Sequence, residues 1–563
     1  MKRDINTLAN QIFDVVVIGG GIYGVCVAHD AALRGLSVAI IEQQDFGSGT
    51  SANSLKTIHG GLRYLQDGNL KLMRTLINER KAWLRIAPHL IHPMLCLMPT
   101  DRSLTRNRWV IRAALAINDF VSFDRNRALP QAQHLPNGTT ISRAECLARL
   151  PGLAPEGITG GAIWHDAQMY NSERLLISVL RSAVTNGAVA ANYAKVTGFL
   201  QNERGLHGVM VEDQLTGHQF PLQGRVVVNC SGSWTDDLLA KVKGASSTPK
   251  FHLSTAVNLV TRQLWPDQAV GFQSRYINAN GRERTRTLFI APWLHYSLVG
   301  TFHSPAIGPR QEHTVTEAGI DAYLAEINRA LPGAHLSRDD VFHIHHGFLP
   351  MAPSKADNPV VKLVRQGQVF DHAATDGVPG LITVVGVKYT TARNVAQQAV
   401  DLVIHKLNRF PIPCRTAETP IFGGDIDRLA ALDQQFSGPL QSQFSMETRR
   451  QMVNNYGSEY CRILNYGQED SSWLEPVGEQ EIVLKAEVIH AVREEMAYTL
   501  ADVVQRRTEL GSAGLPQPAT LQNCATLMGK VLGWDEAKTA QELKATTETF
   551  WPVGHTQPNM EAK

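Results

Sequence analysis

This chain has little of what would mark it as secreted, metal-built or membrane-spanning. Its seven cysteines, Cys26, Cys96, Cys146, Cys230, Cys414, Cys461 and Cys524, are scattered without a CxxC pair. An odd number leaves at least one unpaired, which argues against a disulfide framework or zinc ribbon and for a reducing interior. His343, His345 and His346 lie close together, but no Cys or acid follows them at ligand spacing, so no metal is expected. No apolar stretch approaches the roughly 20 residues of a membrane-crossing helix, so any membrane contact is expected to be peripheral. The opening MKRDINTLANQ turns polar after two basic residues, unlike a secretory leader. A formal net charge of +2 offers no overall pull on nucleic acid. Internal repeats and low-complexity tracts are also missing. With 43% hydrophobic and 19% charged residues, the 563-residue chain reads as an ordinary globular protein of two or three domains.

What is present begins at once. Residues 13–42 read FDVVVIGGGIYGVCVAHDAALRGLSVAIIE. The β-branched run 15–18 has the length of a buried strand and leads into Gly19-x-Gly21-x-x-Gly24. A helix-like stretch 25–33, Gly35, a second apolar run 38–41 and Glu42 follow. The first glycine suits a tight turn, the second the approach of backbone to a pyrophosphate, and the third close packing of helix on strand. Free N–H groups at the helix start favour a diphosphate, and Glu42 can accept from ribose hydroxyls. Glycine turns alone are common. Strand, glycines, helix and terminal acid at this spacing point to a dinucleotide site.

Strand and helix patterns alternate through the first part, as in an α/β nucleotide fold. Residues 62–127 differ: they read as helical and basic, with twelve basic against five acidic residues, a surplus of seven positive charges. The apolar patch 90–98, LIHPMLCLM, lies among them. Such a segment is either a solvated helix face beside a core strand or a surface that rests on anionic lipid. Residues 188–196, AVAANYAKV, suggest a strand that ends near a bound base at Val196. Residues 225–234, RVVVNCSGSW, suggest a buried strand running into a small-residue turn at Gly232. From 252 to 348 aromatic and β-branched strands dominate, which predicts an antiparallel sheet. The run 381–400, LITVVGVKYTTARNVAQQAV, reads as strand, Gly386 turn and helix, a return to the nucleotide fold. Residues 411–424 read as a linker, amphipathic helices follow to about 543, and the tail from 551 reads as disordered.

Together the blocks 19–24, 51–65 (SANSLKTIHGGLRYL), VVVNCSGSW, GVKYTTAR and MAYTLADVVQRRTELG resemble the FAD-dependent glycerol-3-phosphate dehydrogenase/oxidase family. The similarity extends over about residues 13–540, and IHGGLRYL is its most specific element. It implies an α/β plus α chain: an FAD-binding Rossmann-like domain of the glucose-oxidase/glutathione-reductase type, an antiparallel β substrate domain and a C-terminal helical domain. The FAD-binding domain is expected in three parts, 13–90, 186–250 and 351–410, with a helical, basic insert and part of the substrate domain at 91–185. The substrate sheet is expected at 251–350, a linker at 411–425, the helical domain at 426–545 and a tail at 546–563. The implied reaction is oxidation of sn-glycerol 3-phosphate to dihydroxyacetone phosphate, with hydride passing to flavin N5 and electrons leaving to a quinone, or to oxygen in the oxidase branch. The residues favour flavin over nicotinamide on their own account. A large, permanently held FAD needs the further turns at 231–233 and Gly386, and the N–H groups of 386–388 can face the flavin N1/O2 edge, where charge collects on reduction. Gly19, Gly21, Gly24 and Glu42 are expected at the ADP half. Thr50, Ser51 and Ser54 follow along the pyrophosphate and ribityl chain, and Val196, Gly232, Gly386, Lys388 and Thr390 surround the rest of the cofactor.

Hydride transfer from a secondary carbinol needs a base for the hydroxyl proton and cations for an anionic substrate. His59 is the candidate base. Arg63, Lys388 and Arg365 are the candidate catalytic cations. Where the family carries Lys-Gly-x-His, Gly-x-Arg-Pro and Gly-Thr-Thr-Asp, this chain reads STAV at 254–257, GFLP at 347–350 and GTFH at 300–303. Two cations or donors are thus missing from the implied phosphate pocket. Either His303, His343 or His346 compensates, or the substrate is a less anionic polyol or hydroxy acid. Competing readings are a flavin oxidase of another hydroxyl or amine substrate using oxygen, and a non-catalytic FAD-binding protein. The expected partners are a small polyol phosphate and a quinone or oxygen; nucleic acid is not one. A peripheral contact with anionic membrane and a homodimer are compatible with the sequence. The expected location is the cytoplasm, with room for a peripheral place on the inner membrane face.

Overall fold

The structure, a computed structural model, describes residues 1–65, 67–244, 252–277, 281, 283–306, 310–352, 361–426 and 443–550. The tail from residue 551 lies outside them. Two sheets organise the chain. The first has eight strands, ordered Gln368–Asp371, Leu381–Val385, Gln219–Asn229, Ile12–Ile18, Val38–Ile41 and Val189–Ala191, with the pair Ala194–Asn202 and Gly205–Asp213 attached beside Gln219–Asn229. Its centre is parallel: Val15 lies opposite both Val226 and Val38, and Val227 opposite Leu381. A parallel strand covered on both faces is largely apolar, and every residue of Ile12–Ile18 except Ile12 is buried, with the one polar member, Asp14, bonded to Ser37. The helices Ile22–Leu33, Ser172–Thr185 and Ala392–Lys406 cover it, sharing one core with Val15, Val17 and Val228.

The second sheet has nine strands. Its order is Val341–Met351, His252–Arg262, Tyr296–Ala306, Glu283–Trp293, Ala269–Ile277, Ile91–Thr100, Gly160–Met169 and Thr57–Ile58, with Thr139–Ser142 also on Gly160–Met169. All its joints are antiparallel except one, where Ala269 and Val270 pair in parallel with Cys96 and Leu97. The sequence led to an antiparallel sheet at 251–350, with part of the substrate domain at 91–185, and to no parallel joint between them. A meander from that segment instead meets a separate ribbon edge to edge, and an open strand edge can pair in either direction. Two further placements differ from the boundaries read from the sequence, and one open alternative is decided. The patch 90–98 is the core strand of the first of the two readings given for it, and forms most of Ile91–Thr100. Thr57–Ile58 belongs to the second sheet, and the helix Ser172–Thr185 packs beneath the first. Each is decided by a partner remote in sequence, which local patterning does not report.

The C-terminal part is helical, including Met446–Tyr456, Lys485–Glu494, Pro518–Leu532 and Glu536–Glu548. Local signals set its boundaries: Ser445 accepts from Thr448 N at 3.0 Å, proline opens Pro518–Leu532, and Gly533 ends it in the left-handed region at φ 73°. Segment 411–426 carries no helix or strand but is pinned, with Ile421 N donating to Ile86 O at 3.0 Å and Phe422 N to Ser182 Oγ at 2.7 Å. A buried joint ties the helices to the nucleotide sheet: Arg174 meets both oxygens of Glu495 at 2.5 and 3.0 Å, and Arg181 adds a bond of 2.9 Å.

Burial pushes several carboxyls of this domain, Glu481, Glu487, Asp502 and Glu509, in the unfavourable direction. Glu509 accepts from Asn455 Nδ2 at 2.6 Å, and burial pushes its pKa up from 4.5 to about 7. Between those values the folded chain holds a proton that the unfolded chain has released, so stability falls as pH rises from about 4.5 through about 7. We expect thermal unfolding midpoints to fall over that window. Glu509→Gln should flatten the trend, by a difference on the order of 2–3 kcal/mol across it; equal slopes for parent and variant would refute the assignment.

Candidate active site

A cavity of about 930 Å³ lies at the carboxyl ends of the parallel strands, between the two sheets. This is where open α/β sheets bind ligands. Its floor is the glycine turn. Gly19 sits at φ +105° with the Cys230 carbonyl oxygen 2.6 Å from where a Cβ would be, so only glycine fits. A Cβ on Gly24 would lie 1.9 Å from Gly19 O, so the helix Ile22–Leu33 can rest on the strand only without one. Gly21 and Gly232 are different: a Cβ on Gly21 meets only Ser51 Oγ at 3.2 Å, and one on Gly232 meets nothing within 4 Å. Both face open space on the cavity wall, as a cradle for a bulky group requires. Gly21 caps the helix without a side-chain bond, so the helix start presents its amides and dipole to an anion.

Glu42 follows at the end of the second strand. Its carboxylate accepts from Gly20 N at 2.7 Å and Gln44 N at 2.9 Å, and burial raises its pKa. Lone pairs remain for further donors. Ser51 Oγ accepts from Ile22 N at 3.0 Å, and Ser54 Oγ from Lys56 N at 3.2 Å. Thr50 uses its hydroxyl twice on one residue, accepting from Phe348 N at 3.0 Å and donating to Phe348 O at 3.1 Å. That hydroxyl ties the loop to the second sheet. All three, with Val196 and Thr390, line the cavity.

The Gly386 turn differs from its reading in the sequence. A Cβ there would lie 1.9 Å from the Tyr23 ring, and the Tyr23 hydroxyl accepts from both Val387 N and Lys388 N at 3.1 Å while donating to Lys388 O at 2.7 Å. Those two amides are therefore engaged. The N–H groups without an intrahelical partner lie one residue on, at the start of Tyr389–Thr391, whose cap Lys388 makes no side-chain bond. Glycine at 386 is demanded by Tyr23 rather than by a ligand. Nothing local announces this, because Tyr23 is more than three hundred and sixty residues away in sequence.

His59 lines the cavity with its side chain 43% exposed. Its backbone N donates to Thr390 Oγ1 at 3.2 Å, and its Nδ1 lies 3.3 Å from Asp166 Oδ2. Asp166 is buried, which alone would raise its pKa, but its donors prevail. His59 and Arg80, with Gly60 N at 2.6 Å, hold it down at about 2. Arg80 Nη1 approaches to 2.5 Å and Trp164 Nε1 to 3.2 Å. A fixed anion at Nδ1 keeps the ring proton there and leaves Nε2 as the acceptor. Asp166 and Arg80 were not found from the sequence, although an acid inside the apolar run IWHDAQM was a usable signal.

The cations divide into two groups. Lys388 lines the cavity, its Nζ bonded to the Tyr64 hydroxyl and 4.4 Å from the Tyr64 ring centroid. Burial lowers its pKa, and the charges of Arg63 and Arg365 push the same way. Those two arginines thus act on Lys388 electrostatically without lining the cavity, and Arg365 pairs with Asp67 at 2.9 Å. Leu349 faces the cavity, as do Asn258 and Thr301, whose side chains bond at 2.7 Å. Ser254 is buried and donates to Thr255 O. His303, His343 and His346 do not line the cavity. His303 is on the same face as Thr301, one pleat away, but burial pushes its pKa down to about 4. A neutral imidazole supplies no positive charge there, only a hydrogen-bond donor. Among the described residues no group of three or more His, Cys, Asp or Glu is arranged to hold a metal ion.

Comparison with known proteins accords with this geometry. The model of the FAD dependent oxidoreductase family matches residues 14–401, and that of the C-terminal domain of alpha-glycerophosphate oxidase matches residues 414–539. Glycerol-3-phosphate dehydrogenase of Synechocystis sp. is 32% identical over 522 residues, 90% of this chain and 90% of that protein. Glycerol-3-phosphate dehydrogenase 2 of Mycobacterium tuberculosis is 31% identical over 543 residues, 95% of this chain and 88% of its own. The solved glycerol-3-phosphate dehydrogenase from Bacillus halodurans, complexed with FAD, superposes with a TM-score of 0.73 at 26% identity, covering 96% of this chain and 95% of that one.

The Tyr23 hydroxyl should be measurable as a structural tie. Tyr23→Phe leaves two amides without their acceptor, and we expect a loss of about 1–3 kcal/mol in denaturant unfolding. An unchanged midpoint would mean that water serves both amides equally well.

Proposed function

Since the chain belongs to the FAD dependent oxidoreductase family and carries the C-terminal domain of alpha-glycerophosphate oxidase, we propose that it oxidises sn-glycerol 3-phosphate to dihydroxyacetone phosphate and passes the electrons to a membrane quinone. The observation that carries this reading is His59, backed by the buried anion Asp166, on the wall of a glycine-cradled cavity that also holds Lys388. The relatives named above act under the name of that substrate.

When bound, FAD supplies the two-electron acceptor, N5, for the hydride of the substrate carbinol. The residues of the chain do the rest. Gly19, Gly21 and Gly24 shape the turn for the diphosphate, and Glu42 accepts from the ribose. Thr50, Ser51, Ser54, Val196, Gly232, Gly386 and Thr390 enclose the remainder, in segments 13–90, 186–250 and 351–410. His59 takes the substrate hydroxyl proton on Nε2 while Asp166 stabilises the imidazolium that forms. Lys388 in the cavity, with Arg63 and Arg365 behind it, draws in the phosphate. Leu349 gives that phosphate no charge-assisted bond, an omission of about 1.5–3 kcal/mol that predicts a raised KM.

Flavin absorbance under anaerobic conditions tests this directly. Glycerol 3-phosphate should bleach it, and His59→Asn should slow the bleaching by about 100- to 10,000-fold at unchanged FAD content. Bleaching by glycerol, lactate or an amino acid, but not by glycerol 3-phosphate, would overturn the substrate. Release of peroxide in place of quinone reduction would move the acceptor to oxygen.

The route to a quinone is supported by one surface. The helix Arg108–Val121 buries Ile111 and Leu115, yet leaves Trp109 70% and Phe120 82% exposed, flanked by Leu104 at 92% and Phe123 at 82%. Arg102, Arg108, Arg112 and Arg127 lie in the same stretch of chain, the combination of residue types that seats a helix in an anionic interface. Among the described residues no helix is long and apolar enough to cross a membrane. Salt-sensitive flotation with anionic liposomes is expected, and its loss in Trp109→Ser/Phe120→Ser. An absence of binding at low salt would remove the membrane from the proposal.

A further inference from the structure

The late RRT element, residues 506–508, contributes nothing to the cavity, but it reaches the loop that walls one side of it. Every described residue lining the cavity precedes residue 391, so the helical domain supplies none. Its arginines nevertheless converge on Asp45, three residues beyond Glu42. Arg507 is bidentate, Nη1 to Oδ2 at 2.8 Å and Nη2 to Oδ1 at 2.7 Å, and Arg506 Nε reaches Oδ2 at 2.5 Å. Asn192 Nδ2 adds a bond to Oδ1 at 3.0 Å. The Asp45 and Arg507 side chains are completely buried. Two consecutive side chains can meet one carboxylate because Val503–Arg507 is a π turn, closed by Thr508 N on Val503 O at 3.0 Å.

The contact continues as a closed circuit. Arg506 Nη2 donates to Asp502 Oδ1 at 2.7 Å, Tyr193 OH donates to the same oxygen at 2.7 Å, and Tyr193 N donates to Gln44 O at 2.9 Å, beside Asp45. Two guanidiniums and two carboxylates balance, and burial makes each dependent on the others. The far side of the loop is bound to the glycine turn. Gly47 N donates to Gly20 O at 3.0 Å, Glu42 accepts from Gly20 N, and Ser51 Oγ accepts from Ile22 N. The loop is therefore held at both faces, by the nucleotide turn and by the helical domain.

We propose that Arg506 and Arg507 are positioning residues for the cofactor: through Asp45 they fix the loop 42–51 over the ADP half of FAD, so that retention of the flavin depends on a domain that does not touch it. This rests on FAD binding and not on the choice of substrate; a holoenzyme indifferent to glycerol 3-phosphate leaves its prediction unchanged. A plain docking role would make the clamp equivalent to the neighbouring buried joint, in which Arg174 holds the Glu495 carboxylate. Arg507 reaches only the Glu495 carbonyl O, at 3.1 and 3.0 Å, so Arg174→Lys leaves the Arg507 bonds to Asp45 and to Glu495 O in place.

The test compares the two joints in the full-length chain. FAD is removed and titrated back, with flavin fluorescence reporting its dissociation constant and thermal unfolding of the apo-protein reporting stability. Arg507→Lys and Asp45→Asn should raise the dissociation constant by about tenfold or more, the loss of one charge-assisted contact. Arg174→Lys should stay within about twofold of the parent even where its apo-protein is equally destabilised. The proposal is overturned if Arg507→Lys also stays within twofold, or if Arg174→Lys weakens FAD as much at a matched unfolding midpoint. Should Arg507→Lys not fold, Arg506→Lys, which leaves the bidentate pair intact, is read against the same limits.

Discussion

The cavity depends on one steric contact, the seat of the helix Ile22–Leu33 on the first strand, where Gly24 faces the Gly19 carbonyl with no room for a side chain. That seat fixes the helix start, and with it Tyr23. The Tyr23 hydroxyl holds the Val387 and Lys388 amides, so the turn carrying Lys388 takes its position from the opposite end of the nucleotide unit. Thr390 follows on that turn. Its hydroxyl accepts from the His59 backbone and its carbonyl from Trp83 Nε1 at 3.1 Å. His59 and Lys388 are thus placed by one sequence of contacts running from a glycine. A shift of the helix would move both together, which keeps their spacing while the shape of the pocket changes around them.

Buried charge does the remaining fastening. Asp166 with Arg80, Asp45 with Arg506 and Arg507, Glu495 with Arg174 and Arg181, and Glu79 with Arg393 each lie where two parts of the chain meet. Such pairs add little net stability over an apolar contact of equal size, but removing one partner strands the other at about 3–5 kcal/mol. They select one arrangement of domains over its near alternatives. At Asp166 the anion that satisfies Arg80 also orients His59 on the cavity wall.

Much of the nucleotide half was legible because its logic is local. Gly19, Gly21, Gly24 and Glu42 lie within thirty residues in a recognisable pattern, and Gly24 against Gly19 O and Glu42 on Gly20 N meet demands set within that unit, although the clash that requires Gly19 comes from Cys230. The helical C-terminal part was legible for a similar reason, its caps and amphipathic spacing being properties of single helices. The strand Ile91–Thr100 was legible only as one of two readings, because LIHPMLCLM is apolar without alternation and lies among basic residues; its pairing with Gly160–Met169 decides for the core strand. Gly386 was noticed, but its cause is the Tyr23 ring. The histidines offered in place of missing cations or donors, His303, His343 and His346, do not line the cavity, a placement no sequence pattern reports.

By itself the sequence determined that a dinucleotide is bound, that it is held by separated segments, and that the reaction is an oxidation at a flavin. These follow from residue types at short spacing and from blocks specific to one family. The tertiary structure decided which groups work together. His59 and Asp166 are 107 residues apart, and Asp45 and Arg507 are 462 apart. At such separations the chain carries no local record of contact, and only the packing of the sheets and helices brings the charges within reach.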